Sequence, residues 1–255
     1  MFNLAPVPTP DLNGRTILVT GAGQGIGAAL VKLLGEHGAR VYAGVLETGT
    51  GATPPGTHEL KLDVTSQADV DAAIARIEGE AGRLDALVNN AGVIAPIGHF
   101  RDIDTESLGP AFAVNVLGVH RMTRAALPLL TRSGGVVVNA GTGAATTPIE
   151  GWTGYCSSKA AARMLTLMCA EELKGTGVQF FFIGIPPTDT AMQARIRDSG
   201  LSPISRIPKA ALVDPMVPAS VMAWLCGPEA RSIGDVLLDV RDERFKRMML
   251  LPATP

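Results

Sequence analysis

Thr16-Ile17-Leu18-Val19-Thr20-Gly21-Ala22-Gly23-Gln24-Gly25-Ile26-Gly27 is the stretch on which the fold turns. A short β-branched and apolar run ends in glycines, and a helical Ala/Leu pattern begins at Ile26, so the segment reads as strand, tight turn and helix. In that setting the turn's amides and the positive end of the helix dipole form a site for a pyrophosphate, and glycine lets it come close.

Outward from this turn the same grammar repeats. A second strand, Arg40 to Leu46, follows Gly38, and a third, His58 to Leu62, runs into Asp63-Val64-Thr65. Ser66 is expected as an N-cap, with Asp69 three residues on, opening a helix whose Val70, Ala73, Ile74 and Ile77 share one face. Leu84 to Asn89 reads as a fourth strand, Leu108 to Arg132 as a long helix and Gly135 to Asn139 as a fifth strand. Tyr155 to Lys174 is a further helix, Val178 to Ile185 a sixth strand, Ser220 to Leu225 a short helix and Asp235 to Val240 a last strand. Pro128 is expected to kink or end the long helix. This alternation predicts an α/β fold, a doubly wound parallel sheet of Rossmann type with helices on both faces. Residues 1–11 are expected as a flexible leader and 12–255 as a single domain. Residues 186–218, rich in Pro, Gly and Ser, are expected as a substrate lid or a disordered loop.

Composition narrows the function. Apolar residues make up 46% of the 255 and aromatics 4%, so the core must come from Ala, Val, Leu and Ile, which suits a buried parallel sheet. Lys+Arg at 22 against Asp+Glu at 24 gives a net charge of -2, which provides no field to draw nucleic acid or an anionic membrane and favours a small-molecule ligand. Cys156, Cys169 and Cys226 are odd in number and lack metal-ligand spacing, which points to buried thiols in a reducing compartment. His37, His58, His99 and His120 share no spacing, so no metal is expected. The opening residues have neither a basic n-region nor a sustained apolar run, and a cytoplasmic location without membrane attachment is expected.

Tyr155 and Lys159 stand four apart at the start of a predicted helix, which puts phenol and ammonium on one face. The positive charge is expected to lower the phenol's pKa from its usual value near ~10, so that Tyr155 can exchange a proton with a substrate oxygen near neutral pH.

Four motifs in order then carry a resemblance. Thr20-Gly21-Ala22-Gly23-Gln24-Gly25-Ile26-Gly27 has the spacing T-G-x-x-x-G-I-G, and it is followed by Asp63-Val64, Asn89-Asn90-Ala91-Gly92 and Tyr155-Cys156-Ser157-Ser158-Lys159-Ala160-Ala161. From about Leu12 to Val240 the chain resembles the short-chain dehydrogenase/reductase family. The resemblance implies an NAD(P)-dependent oxidoreductase acting between a ketone and a secondary alcohol. Tyr155 would be its general acid/base, assisted by Lys159, Asn115 and a hydroxyl residue, and Asn115 would position a water beside the lysine. It implies that Gly21, Gly23, Gln24, Gly25, Ile26 and Gly27 cradle the cofactor, that Asp63 and Val64 meet the adenine, and that Asn90, Ala91 and Gly92 line the riboses. Lys159 would also hold the nicotinamide ribose, and Thr190 the carboxamide. Dimers or tetramers built from the Asn115 and Tyr155 helices are implied as well.

The sequence departs from that pattern at three places. Val45 and Leu46 stand where members place the Asp or Arg that separates NAD from NADP. Glu47, next along, can bond ribose hydroxyls and would repel a phosphate, which leans the cofactor to NAD(H) over NADP(H). Thr142 stands where the family has serine; its hydroxyl can bond the substrate oxygen while its methyl crowds the site. Gly184-Ile185-Pro186-Pro187-Thr188-Asp189-Thr190 replaces the family's Pro-Gly pair. Ile94, Pro96, Trp152 and Met192 are candidate walls of an apolar substrate pocket. The end Met248-Met249-Leu250-Leu251 is expected against a neighbouring subunit. Two further readings stay open: a nucleotide-binding regulator whose chemistry is lost, and a 3-oxoacyl-carrier-protein reductase with Arg121 and Arg124 facing its acidic carrier.

Overall fold

In the computed structural model, which describes residues 3–49 and 53–250, β1 (Thr16–Thr20) is buried along its whole length. It pairs in parallel with β2 (Arg40–Val45) on one side and β4 (Ala86–Asn89) on the other. Successive side chains of a strand point to opposite faces. Ile17 and Val19 therefore enter a core with Leu30, Leu34, Val221 and Leu225, while Leu18 enters another with Val70, Ile77, Leu87 and Leu130. Both faces of the sheet are thus covered, the condition a parallel sheet requires.

The remaining strands are β3 (His58–Lys61), β5 (Val136–Thr142), β6 (Gln179–Ile185) and β7 (Leu237–Asp239). Among the described residues the sheet has seven strands in the order β3-β2-β1-β4-β5-β6-β7, every neighbouring pair parallel. The chain walks outward from β1 to β3 and then returns to the other side of β1 as β4. Where the direction reverses, a crevice opens at the carboxyl ends of β1 and β4, and ligands of such sheets bind there.

Helices α1 (Gly25–Glu36) and α7 (Met216–Leu225) contribute to the first core. α2 (Gln67–Ala81) and α4 (Val119–Ser133) contribute to the second. α2 begins as its sequence predicts: the Ser66 hydroxyl accepts from Asp69 N at 3.2 Å, and Gly82 closes the helix in the left-handed conformation. The expected long helix is one helical run in three segments, α3 (Gly109–Phe112), a π-helical turn (Ala113–Gly118) and α4. Pro128, exposed within α4, does not end it; the helix continues to Ser133. α5 (Thr153–Glu172) carries the Tyr-Lys pair.

Three outlying segments differ from expectation. The Pro-rich leader is held to the domain, with Val7 buried and its N–H donated to the Ser220 hydroxyl at 2.9 Å. Residues 186–218 hold α6 (Ala191–Ser199), two short 3₁₀ turns, Pro203–Arg206 and Lys209–Ala211, and, from Met216, the start of α7. Their neck is closed by Asp189 N to Val213 O at 2.9 Å and Val213 N to Pro187 O at 3.0 Å. Near the C-terminus, α8 (Glu243–Met249) buries Phe245, and Met248 and Met249 pack against this chain's own first core rather than standing free for a neighbour. Leu250 is exposed, and Leu251 lies outside the described residues. No helix among the described residues is long and apolar enough to cross a membrane. Ser66→Ala should lower the unfolding free energy by about 1 kcal/mol, read as a lower urea midpoint at unchanged slope; an unchanged midpoint would show the cap to be silent.

Candidate active site

The glycine turn is held against the end of β4. The Thr20 hydroxyl accepts from the N–H groups of Asn90 at 3.1 Å and Ala91 at 3.0 Å. The Asn90 side-chain amide donates back to the carbonyls of Thr20 at 3.1 Å and Gly21 at 3.0 Å. Crossing so tightly requires glycine: Gly21 has φ +63°, and a Cβ there would stand 2.8 Å from Ala91 Cα. A Cβ on Gly27 would overlap the Gly21 carbonyl. Gln24, the N-cap of α1, is extended and caps nothing with its side chain, so no side chain takes the place of an anion at this helix start. Gly25 lies beside Thr190, whose Cγ2 would be 3.2 Å from a Cβ there, and the Thr190 hydroxyl also accepts from Gln193 N at 3.4 Å to cap α6. A dinucleotide therefore fits this end of the sheet: a narrow glycine cradle, an open helix start, and acidic groups at the neighbouring strand ends.

Those acidic groups are Glu47 and Asp63. Leu46 and Glu47 follow β2, which ends at Val45, and both are exposed, Leu46 at 68%. Asp63 follows β3 and turns Oδ1 to the Thr65 N–H and hydroxyl, both at 2.8 Å. Val64 is buried and lies against Gly118 on the π-helical turn, where a Cβ would come 2.7 Å from Val64 Cγ2.

Two of the catalytic candidates, Asn115 and Lys159, meet at Gly92. A Cβ on Gly92 would sit 3.4 Å from Asn115 Oδ1 and 3.6 Å from Lys159 Nζ. Lys159 Nζ lies 5.8 Å from the centre of the Tyr155 ring and donates to the Ala140 carbonyl at 2.9 Å. Asn115 is fully buried in the π-helical turn, a distortion that often marks functional positions. Its side chain is more occupied than a water-positioning role needs. Oδ1 accepts from Val93 N at 2.9 Å, and Nδ2 donates to Val93 O at 2.9 Å and to Ser158 Oγ at 3.0 Å. Ser158 in turn donates to the Tyr155 carbonyl at 3.0 Å, linking the two helices. Sequence reasoning missed Ser158 and Val93. Ser158 stands three residues after Tyr155, the spacing that places a hydroxyl on the same buried helix face.

Thr142 ends β5 and accepts from Ala144 N at 3.2 Å. Ile94, Trp152 and Met192 are brought together around Tyr155, in one apolar cluster with Ala144, Ile149, Cys156, Ile196 and Ile204. Trp152 meets Tyr155 edge to face, ring centres 5.6 Å apart. Pro96 follows a cis peptide bond and lies near Gly154, just before Tyr155. Of the thiols, Cys226 alone is fully buried; Cys156 and Cys169 are half-buried, and all three are free.

The expected acidic phenol is not found in this state. Burial, with a smaller contribution from Cys156, pushes Tyr155 up to about 12 against a downward pull from Thr142. Burial alone pushes Lys159 down to about 8. Desolvation penalises each charged form, and the ammonium does not outweigh it for the phenol. For Lys159 the folded value lies below the unfolded 10.5, so the unfolded chain binds more protons between pH 8 and 10.5, and stability rises with pH across that window. Lys159→Met should therefore be more stable than the parent at pH 7, by on the order of 3 kcal/mol. Thermal melts from pH 7 to 10.5 should show the gap closing; a constant gap would mean that lysine titrates normally.

Comparison with known proteins identifies the family. The family model for short chain dehydrogenase matches residues 15–200. The 2,3-dihydro-2,3-dihydroxybenzoate dehydrogenase of Escherichia coli is 37% identical over 72% of this chain and 73% of its own. The 3-oxoacyl-[acyl-carrier-protein] reductase of Vibrio harveyi is 32% identical over 90% of this chain and 97% of its own. Among solved structures, a 3-ketoacyl-(acyl-carrier-protein) reductase from Brucella melitensis complexed with NADH aligns with TM-score 0.79 and 28% identity, over 91% of this chain and 99% of that one. A short chain dehydrogenase from Burkholderia cenocepacia in complex with NADP aligns with TM-score 0.77 and 29% identity, over 90% and 97%. The chain belongs to the short chain dehydrogenase family, and it is an oxidoreductase of that family that binds a nicotinamide dinucleotide.

Proposed function

We propose that the chain moves hydride between NAD(H) or NADP(H) and a ketone or secondary alcohol, with Tyr155 exchanging the proton at the substrate oxygen. The observation that carries this reading is the position of Lys159 Nζ, beside Gly92 together with Asn115 Oδ1 and 5.8 Å from the centre of the Tyr155 ring. A neutral phenol is a proton donor, so the state described above suits reduction of a carbonyl. Thr142 gives the substrate oxygen a second hydroxyl, and Lys159 holds ribose hydroxyls as well as its place beside the phenol. When bound, the nicotinamide supplies the hydride or, oxidised, accepts it with a positive charge that favours the phenolate. Gly21 to Gly27 hold the pyrophosphate, Asp63 and Val64 the adenine, Asn90 to Gly92 the riboses, and Thr190 the carboxamide. Leu46 and Glu47 border the adenosine ribose, and the Glu47 carboxylate favours NAD(H) over its phosphorylated form.

Ile94, Trp152 and Met192 wall the substrate, and the segment between Thr188 and Val213 covers it, since Ile196 and Ile204 already touch the same cluster. Self-association is proposed across α4 and α5. Leu117, on the π-helical turn leading into α4, and Met164 and Met168 on α5 are exposed, and Met168 lines a hollow of about 300 Å³ with Leu127 and Leu165. The 3-oxoacyl-carrier-protein reductase reading is favoured by the Vibrio harveyi relative, and a carrier thioester belongs in the substrate panel.

Tyr155→Phe should reduce kcat/KM across a panel of ketones by about a hundredfold or more while leaving NADH binding nearly unchanged. A parent protein that binds cofactor and turns over nothing would instead be the regulator. The same panel run with both cofactors should give the larger kcat/KM with NADH; a preference for NADPH would remove Glu47 from the ribose site.

A further inference from the structure

Among the buried donors that the roles assigned so far leave without a partner, one adjoins Tyr155. Trp152 is 4% exposed, its plane stands at 88° to the Tyr155 ring, and its Nε1 has no hydrogen-bond partner. An indole N–H can only donate, and burying it unpaired is costly. A phenylalanine would make the same edge-to-face contact with Tyr155 without that cost. The Ile94, Ile97, Ala144, Ile149, Met192, Ile196 and Ile204 side chains of its cluster offer the N–H nothing that competes as an acceptor, and neither the Tyr155 hydroxyl nor the Cys156 thiol takes the bond.

A second unpartnered group lies in the covering segment. Ser202 is fully buried and its Oγ has no partner. The preceding Leu201 lies against Gly151, next to Trp152: a Cβ on Gly151 would meet Leu201 Cδ1 at 3.0 Å. A donor from the start of α5 is thus set in an otherwise mostly apolar wall beside Tyr155. The Trp152 backbone is also held, by Trp152 N to Ile149 O at 3.1 Å and by the Gly98 bridge.

We propose that Trp152 Nε1 recognises a second oxygen of the substrate, one or two carbons from the reacting one. The substrate class is then a 1,2- or 1,3-dicarbonyl compound or the corresponding hydroxyketone. The inference rests on the reading that Tyr155 engages the reacting oxygen. The edge-to-face contact of Trp152 with the Tyr155 ring makes the two residues immediate neighbours in the site, so the second oxygen is sought close to the reacting one. A site built to bond a substrate oxygen rejects the analogue that lacks it, because its own buried donor is then left unpaired.

The probes are 1-phenylpropane-1,2-dione and propiophenone, which differ by one carbonyl. Trp152→Phe should lower kcat/KM for the dione about tenfold relative to propiophenone, the intrinsic reactivity of each compound cancelling between the two proteins. An equal shift for both compounds overturns the inference and leaves hydride transfer standing. Calorimetry on Tyr155→Phe and on Tyr155→Phe/Trp152→Phe, each saturated with oxidised cofactor, reads binding without turnover. A preference for the dione that depends on Trp152, in a parent that reduces neither compound, would retain the recognition and sink the hydride-transfer reading. Independently of any variant at Trp152, the dione should move one of the two indole N–H resonances of the cofactor-bound parent while propiophenone leaves both in place. A dione that moves neither defeats the proposal.

Discussion

The Thr20 hydroxyl and the Asn90 amide tie the first turn of the chain to the end of β4, and the rest of the site follows from that tie. Reversal of strand order opens the crevice, but the four hydrogen bonds set its width, and Gly21 and Gly27 are the residues that tolerate it. The same backbone then runs through Ala91 and Gly92 to Val93, where Asn115 grips it on both its N–H and its carbonyl. One short stretch of chain is therefore both a wall of the dinucleotide cradle and the floor under Lys159. A displacement at one end is felt at the other because no flexible linker separates them.

Burial sets the chemistry of the tyrosine-lysine pair as much as proximity does. Both side chains are removed from water, so each resists its own charge, and the isolated chain favours a neutral phenol. Fold and function are opposed here, since a buried lysine lowers stability while supplying the positive charge the site needs. The Asn115–Ser158 contact joins the helix carrying the asparagine to the helix carrying the pair, which limits how far the lysine can relax toward solvent.

Much of this architecture could be read from residue order. The strand–glycine–helix opening, the alternation that followed and the Ser66 cap reappear within a residue or two of their expected places, because each rests on local periodicity or local hydrogen bonding. Residues 84–85 and 135 fell outside the strands, and β5 ran on to Thr142, since ladder length depends on neighbouring strands. The π-helical turn left no mark because its apolar spacing passes for an ordinary helix. The phenol's raised pKa was equally hidden: it depends on groups from α5, the β5 end and the segment after β6 closing together around Tyr155. The leader and Met248-Met249 misled for a related reason, as apolar residues near a terminus do not reveal which surface they will cover.

The neck formed by Pro187, Asp189 and Val213 separates what lies inside it from the strand ladder. Between those points the backbone leaves the sheet and returns to the same place, so its contents can be exchanged or lengthened at little entropic cost. That gives the scaffold a replaceable cassette: ancestry or a designer can redraw the chamber's outer wall while the dinucleotide cradle stays as it is.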